Sequence, residues 1–345
     1  MRMRTFEGFQ HGINLGGWLS QFRKASKQHF DTFITAPDLK VIAQLGLDHV
    51  RLPVDYEVLE DEAGNPNEEG IAYVDSCVRW CEENGLNMLL DLHKTYGYSF
   101  DPKASIFDRE VFFDDPKMQE RFFALWTRLA KRYGKNPHVA FDLLNEVVSP
   151  AVAQKWNRIA AKAVSIVREY APDTWILIGG VEYNHVNSVP LLDPPADDRI
   201  VYNFHCYEPL AFTHQKAPWT PNMPKDLDVA YPISIAEYER LAGPIGIEVP
   251  LPEDNRPEAF GPEFFERIFA PAIGYAEKQN APLYCGEYGV IDQAPVEDSL
   301  RWIRDITSVL DKYGIGHALW SYKNMDFGLN EAHYDPIRAE MAKLL

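Results

Sequence analysis

The chain has 345 residues, 46% of them hydrophobic, and its 51 acidic residues against 34 basic ones leave a formal net charge of −17. That length supports one large domain with a sizeable core. The acidic balance opposes binding to nucleic-acid phosphates and to anionic lipid, so neither nucleic acid nor membrane is expected as a partner.

At the start, residues 1–18 carry two early arginines but no continuous apolar segment and no small-residue cleavage site, and no later run approaches the length of a membrane span. Cys77, Cys81, Cys206 and Cys285 form no Cys-x-x-Cys and are too few for a disulfide framework. A reducing cytoplasm is the expected location, or secretion if a leader precedes this chain. Sequence does not specify the oligomeric state.

Apolar strand-like runs then recur in chain order: GINLG 12–16, DHVRLP 48–53, LNMLLDLH 86–93, VAFDLLNE 139–146, TWILIGG 174–180, IVYNFH 200–205, LYCGE 283–287 and IGHALWSY 315–322. Between them lie stretches of helical periodicity. Residues 71–84 repeat Ile71, Val74, Val78 and Cys81, and 152–170 repeat Val152, Trp156, Ile159, Ala163 and Val167. Asp115-Pro116 supplies an N-cap and first-turn proline for a helix through Tyr133. Gly46, Gly85 and Gly314 read as C′ caps, where a positive φ costs least without a Cβ.

Strands that are apolar on nearly every residue and alternate with helices indicate a parallel sheet covered by helices. Eight such units predict a single closed (β/α)8 barrel, class α/β, over 1–345. No Gly-rich nucleotide loop, internal repeat beyond the βα unit, or low-complexity segment appears. About eighty residues separate the sixth and seventh strands, with ten prolines from Pro209 to Pro262. Residues 208–256 are therefore predicted to form an elaborated loop over the barrel mouth, ordered by the aromatic residues that run through it.

In such a barrel the active site lies at the C-terminal ends of the strands. Read that way, Arg51 ends the second run, His93 the third, Asn145 and Glu146 the fourth, His205 the sixth, Glu287 the seventh and Trp320 the eighth. Singly, each has a structural explanation: a salt bridge, a satisfied histidine, a turn former, a core aromatic. Their joint recurrence at strand ends points instead to a site, and two carboxylates at strand ends are what retaining cleavage of a glycosidic bond requires.

Arg51 in HVRLP, His93 in LDLH, Asn145-Glu146 in LLNE, His205 and Tyr207 in NFHCY, Glu287 in YCGEYG and Trp320 in ALWSY together resemble glycoside hydrolase family 5 over nearly the whole chain. GINLGGW, FTHQKAPW at 212–219 and LWSYKNMDF at 319–327 look most like its compact bacterial endoglucanase branch. The resemblance implies a retaining glycoside hydrolase without cofactor or metal, with Glu146 as acid/base and Glu287 as nucleophile, held ionised by Arg51 and hydrogen-bonded to Tyr207. It implies that Asn145 meets the sugar 2-hydroxyl, that His93 and His205 orient hydroxyls and carboxylates, and that Trp320 stacks on a pyranose. Trp18 and Trp219 are further stacking candidates.

The expected substrate is a β-1,4-linked oligosaccharide of glucose or mannose, with an exo-acting β-mannosidase as the alternative. A metal-dependent barrel hydrolase could gather His93, His205, Asp91 and the glutamates around an ion. Its His-x-His on the first strand and HExxH are both missing. A non-catalytic carbohydrate-binding barrel would have shed one carboxylate, and both remain.

Overall fold

The computed structural model describes residues 3–101, 104 and 110–345. Its strands are β1 (His11–Asn14), β2 (His49–Asp55), β3 (Asn87–Lys94), β4 (Val139–Asp142), β5 (Ile176–Gly179), β6 (Ile200–Cys206), β7 (Leu283–Tyr288) and β8 (Gly316–Leu319). They pair in parallel in chain order, and β8 closes on β1, giving the predicted barrel.

The long helices are α1 (Ala36–Gln44), α2 (Glu68–Glu83), α3 (Pro116–Tyr133), α4 (Ala153–Arg168), α5 (Pro262–Gln279) and α6 (Val296–Tyr313). Each turns an apolar stripe to the sheet; in α2 this stripe contains both Cys77 and Cys81, which are buried and free. The Asp115 side chain accepts from Lys117 N at 2.8 Å, an N-cap contributing about 1 kcal/mol. Gly46, Gly85 and Gly314 have φ of 90°, 70° and 66°, as caps in the left-handed region do. The fifth unit departs from the repeat: β5 and β6 are joined by short turns of helix, Val181–Asn184 and Val186–Leu191. Among the described residues no helix is long and apolar enough to cross a membrane.

Alternation along the strands divides the barrel interior into two layers. The lower one is an apolar plug in which Phe6 and Phe9, stacked 4.3 Å apart, pack with Leu89, Ala140, Leu177, Val201, Tyr284 and Ala318. Two residues further along, the inward positions turn polar: Asn14, Asp91, Asp142 and Asn203 are all fully buried. The plug thus supports a layer of buried polar groups directly beneath the mouth.

Indole N–H groups tie the outer helices to that upper end. Trp126 of α3 donates to Leu143 O at 3.1 Å, Trp156 of α4 to Gly179 O at 2.8 Å, and Trp302 of α6 to Glu208 O at 2.9 Å. The connection after β6 folds against α6, where Tyr231 N donates to Asp298 and Tyr231 Oη to Asp305, with Phe212 and Tyr238 buried beside it.

Candidate active site

The predicted residues converge, although not all from strand ends. Arg51 was read as closing its strand, yet it is the third of seven residues in β2, because the strand continues through Pro53 to Asp55. Its guanidinium therefore lies inside the barrel. It donates to Glu287 Oε1 at 2.8 Å, Asn14 Oδ1 at 3.0 Å, Asn145 Oδ1 at 2.9 Å and Asp142 Oδ2 at 3.1 Å, and lies 3.1 Å from Asp91 Oδ2. One cation faces three buried carboxylates, so burial prevails over attraction to Arg51 and pushes Asp91 and Asp142 up to about 7.

Glu146 stands four residues past the end of β4. The ladder reaches toward it, with Leu143 N donating to Leu177 O and Asn145 N to Leu92 O, before Glu146 turns away at φ 43°. Tyr98 holds that turn: its hydroxyl donates to the Glu146 carbonyl and accepts from Val148 N. The Glu146 carboxylate meets His205 Nδ1 at 2.9 Å, and the same nitrogen is 3.8 Å from Glu287 Oε2. Glu146, His205 and Glu287 each place one donor atom within 4.8 Å of the others, a spacing that could also hold a metal ion.

Glu287, in β7, accepts from Arg51 on one oxygen and from Tyr207 Oη at 2.9 Å on the other. The Tyr207 phenol is pushed well above its ordinary range by burial and by Glu287, so it stays a donor. Burial raises both glutamates. At Glu287, Arg51 and Tyr207 oppose the rise, whereas at Glu146 the charge of Glu287 adds to it and carries the group well above the usual carboxylate range. His93, pushed down to about 3 by burial, is neutral and hydrogen-bonds Asp91 at 2.5 Å. His205 is likewise driven well below its usual range, chiefly by burial.

Trp320 follows β8 directly, and its ring lies parallel to His93 at 5.9 Å. Gly16 sits under the indole: a Cβ there would come within 2.8 Å of a ring carbon. Gly16→Ala must displace Trp320, and a fall in kcat/KM of about 10- to 100-fold is expected from such a shift. Unchanged kinetics would show that Trp320 holds nothing that reacts.

Trp219 is half-buried and lies one ring from Tyr207 through His214, at centroid distances of 6.4 and 4.9 Å. Trp18 is not brought to the site. Its indole donates to Phe30 O at 2.9 Å and stacks on Trp80, so the ring is wholly enclosed with its N–H satisfied. No face remains for a sugar.

Asn14, Tyr98, Asp142 and Asn203 belong to the site and were not foreseen. Asn203 Nδ2 donates to Asp142 at 2.9 Å, and Asn14 Nδ2 donates to Gly286 O at 2.9 Å. The signal for three of them was available: a polar residue at an inward position of an otherwise apolar run.

Comparison with known proteins accords with this geometry. A family model described as "Cellulase (glycosyl hydrolase family 5)" matches residues 10–326. Endoglucanase C of Acetivibrio thermocellus is 41% identical over 350 residues, covering 98% of each chain. Cellodextrinase A of Ruminococcus flavefaciens is 42% identical over 317 residues, 91% of this chain and 85% of that one. Among solved structures, the Clostridioides difficile cellulose synthase subunit Z aligns with a TM-score of 0.76 at 22% identity, covering 98% and 99% of the two chains. The Thermotoga maritima endoglucanase Cel5A aligns with a TM-score of 0.73 at 23% identity, covering 97% and 96%. At those identities the two structures speak for the fold alone. The family match along most of the chain and the near-complete alignment with endoglucanase C identify this protein as a glycoside hydrolase of family 5.

Proposed function

We propose that this protein hydrolyses β-1,4-linked glucose chains with retention of configuration, in the manner of an endoglucanase. The observation that carries the reading is the carboxylate pair: one oxygen of Glu146 lies within 4.8 Å of one of Glu287. Retaining enzymes hold their two carboxyl groups about 5–5.5 Å apart, while inverting ones need about 6.5–9.5 Å to admit a water. The names of the relatives, an endoglucanase and a cellodextrinase, favour glucose chains and lend nothing to the exo-acting β-mannosidase alternative.

In the first step an oxygen of Glu287 forms a bond to the anomeric carbon as the bond to the leaving oxygen breaks, and that oxygen takes the Glu146 proton. In the second, water attacks the same carbon, Glu146 receives the water proton, and Glu287 departs as a carboxylate. His205, neutral beside Glu146, can pair with either form of that carboxyl by exchanging tautomers. Asn145 Nδ2, a buried donor with no partner among the described residues, is suited to the sugar 2-hydroxyl. Trp320 offers apolar surface to the ring.

Aryl β-cellobioside, β-glucoside and β-mannoside, alongside cello- and manno-oligosaccharides, test the substrate, while proton NMR of the first product tests stereochemistry. Cleavage of cellobioside and cello-oligosaccharides with the β anomer released first is expected. Release of the α anomer first would overturn retention, and preference for mannosides would overturn glucose. Tyr207→Phe should lower kcat/KM by about 10- to 100-fold, the worth of a hydrogen bond to a charged acceptor. It should also move the acidic limb of the pH profile upward, because Glu287 loses a partner that favours its ionised form.

A further inference from the structure

At the end of the barrel away from the carboxylates, on its outer wall, a second group of ligating side chains meets. His11 of β1 and His317 of β8 are direct register partners across the seam where the first and last strands close the barrel. Both point outward, alternating with the inward Gly12 and Ala318, and their rings stand edge to face at 5.2 Å. Asp311, in the last turn of α6, lies over them, with Oδ1 3.6 Å from His317 Nε2.

Ordinary packing leaves this group incomplete. His317 is fully buried, yet its Nε2 has no hydrogen-bond partner among the described residues, and the same is true of the buried Nδ1 of His11. At 3.6 Å the approach of Asp311 is too long to satisfy His317. Each of the three residues also places one ligating atom, a ring nitrogen or a carboxylate oxygen, within 4.8 Å of the others.

We propose that His11, Asp311 and His317 bind a divalent transition metal of the zinc type. Two imidazoles and a carboxylate suit such an ion, with water as the fourth ligand. Tetrahedral ligands about 2.0–2.1 Å from zinc lie about 3.3–3.4 Å from one another, so the 3.6 Å separation needs only slight tightening. Tyr288 Oη, 2.9 Å from His317 Nδ1, can accept its N–H and so fix the tautomer that leaves the Nε2 lone pair toward the metal. On the other side, the backbone N–H of His11 donates to Asp48, holding the start of β1 in register. The ion would join β1, β8 and α6, tying the two ends of the chain at the seam, remote from the hydrolytic residues.

The test uses the full chain without a polyhistidine tag, stripped with chelator and titrated with zinc chloride by calorimetry and with cobalt chloride by visible absorption. Because Glu146, His205 and Glu287 could also hold an ion, the variants must separate the two places. One ion per chain is expected in wild type and in Glu287→Gln, with a melting temperature that rises with zinc as mass action requires. Asp311→Asn alters a half-exposed carboxylate and should fold and hydrolyse substrate normally, but bind zinc at least about tenfold more weakly and lose the intense tetrahedral cobalt band. His11→Asn should behave alike. Uptake that survives Asp311→Asn and His11→Asn but vanishes in Glu287→Gln would overturn the assignment, as would no uptake by the wild type.

Discussion

Replacing Glu287 by glutamine is expected to lower kcat/KM on aryl β-cellobioside by about 10⁴-fold or more while leaving the protein folded. The amide keeps nearly the same shape: its oxygen can still accept from Arg51 while its NH2 donates to the Tyr207 hydroxyl oxygen, but it cannot form the bond to the anomeric carbon. Stability should not fall. Arg51 retains Asp91 and Asp142, and the change removes one negative charge from a buried group in which carboxylates outnumber the guanidinium. Steady-state kinetics with a circular-dichroism melt check both halves. A variant within about tenfold of wild-type activity would place the nucleophile elsewhere, and one that is inactive with a collapsed melt would show that Glu287 acts chiefly as a counter-ion for Arg51.

That counter-ion network explains how much of the site could be read in advance. Glu287, His93 and His205 were legible because a polar residue near the end of an apolar run has no core role, and barrel topology gives that place a meaning. Arg51 belongs to the site although it does not end its strand. Pro53 looked like a strand end, but β2 continues past it, and the arginine belongs to the buried layer beneath the mouth. Asn14, Asp142 and Asn203 sit in the same layer: their polarity within apolar runs is visible in the sequence, but the partners that make them part of the site arrive only on barrel closure. Asn14, for example, reaches the carbonyls of Gly286, Ala318 and Leu319, some 272 to 305 residues away in sequence. Tyr98 was out of reach for a similar reason, since nothing local announces that a tyrosine after β3 will hold the backbone of Glu146. Trp18 goes the other way: a stacking candidate from the sequence, it is core, with Trp80 against its ring and the Phe30 carbonyl on its N–H.

The asymmetry between the carboxylates gives the second large effect. Glu146→Ala should cost about 10²- to 10⁴-fold on unactivated cello-oligosaccharides, whose leaving alkoxide needs a proton, and far less in the bond-breaking step of aryl glycosides with acidic phenols. A uniform loss across both substrate types would count against Glu146 as the acid. The pH profile carries an independent sign. Burial and the neighbouring Glu287 hold Glu146 well above the ordinary carboxylate range, so the acid form persists at pH values where an exposed glutamate has ionised. Activity should fall as pH rises through that raised pKa, and this basic limb should be absent from the alanine variant. The acidic limb, which follows ionisation of Glu287, should remain, because Arg51 and Tyr207 are untouched. A variant that keeps the basic limb would assign it to another group, and one that loses the acidic limb instead would exchange the roles of the two glutamates.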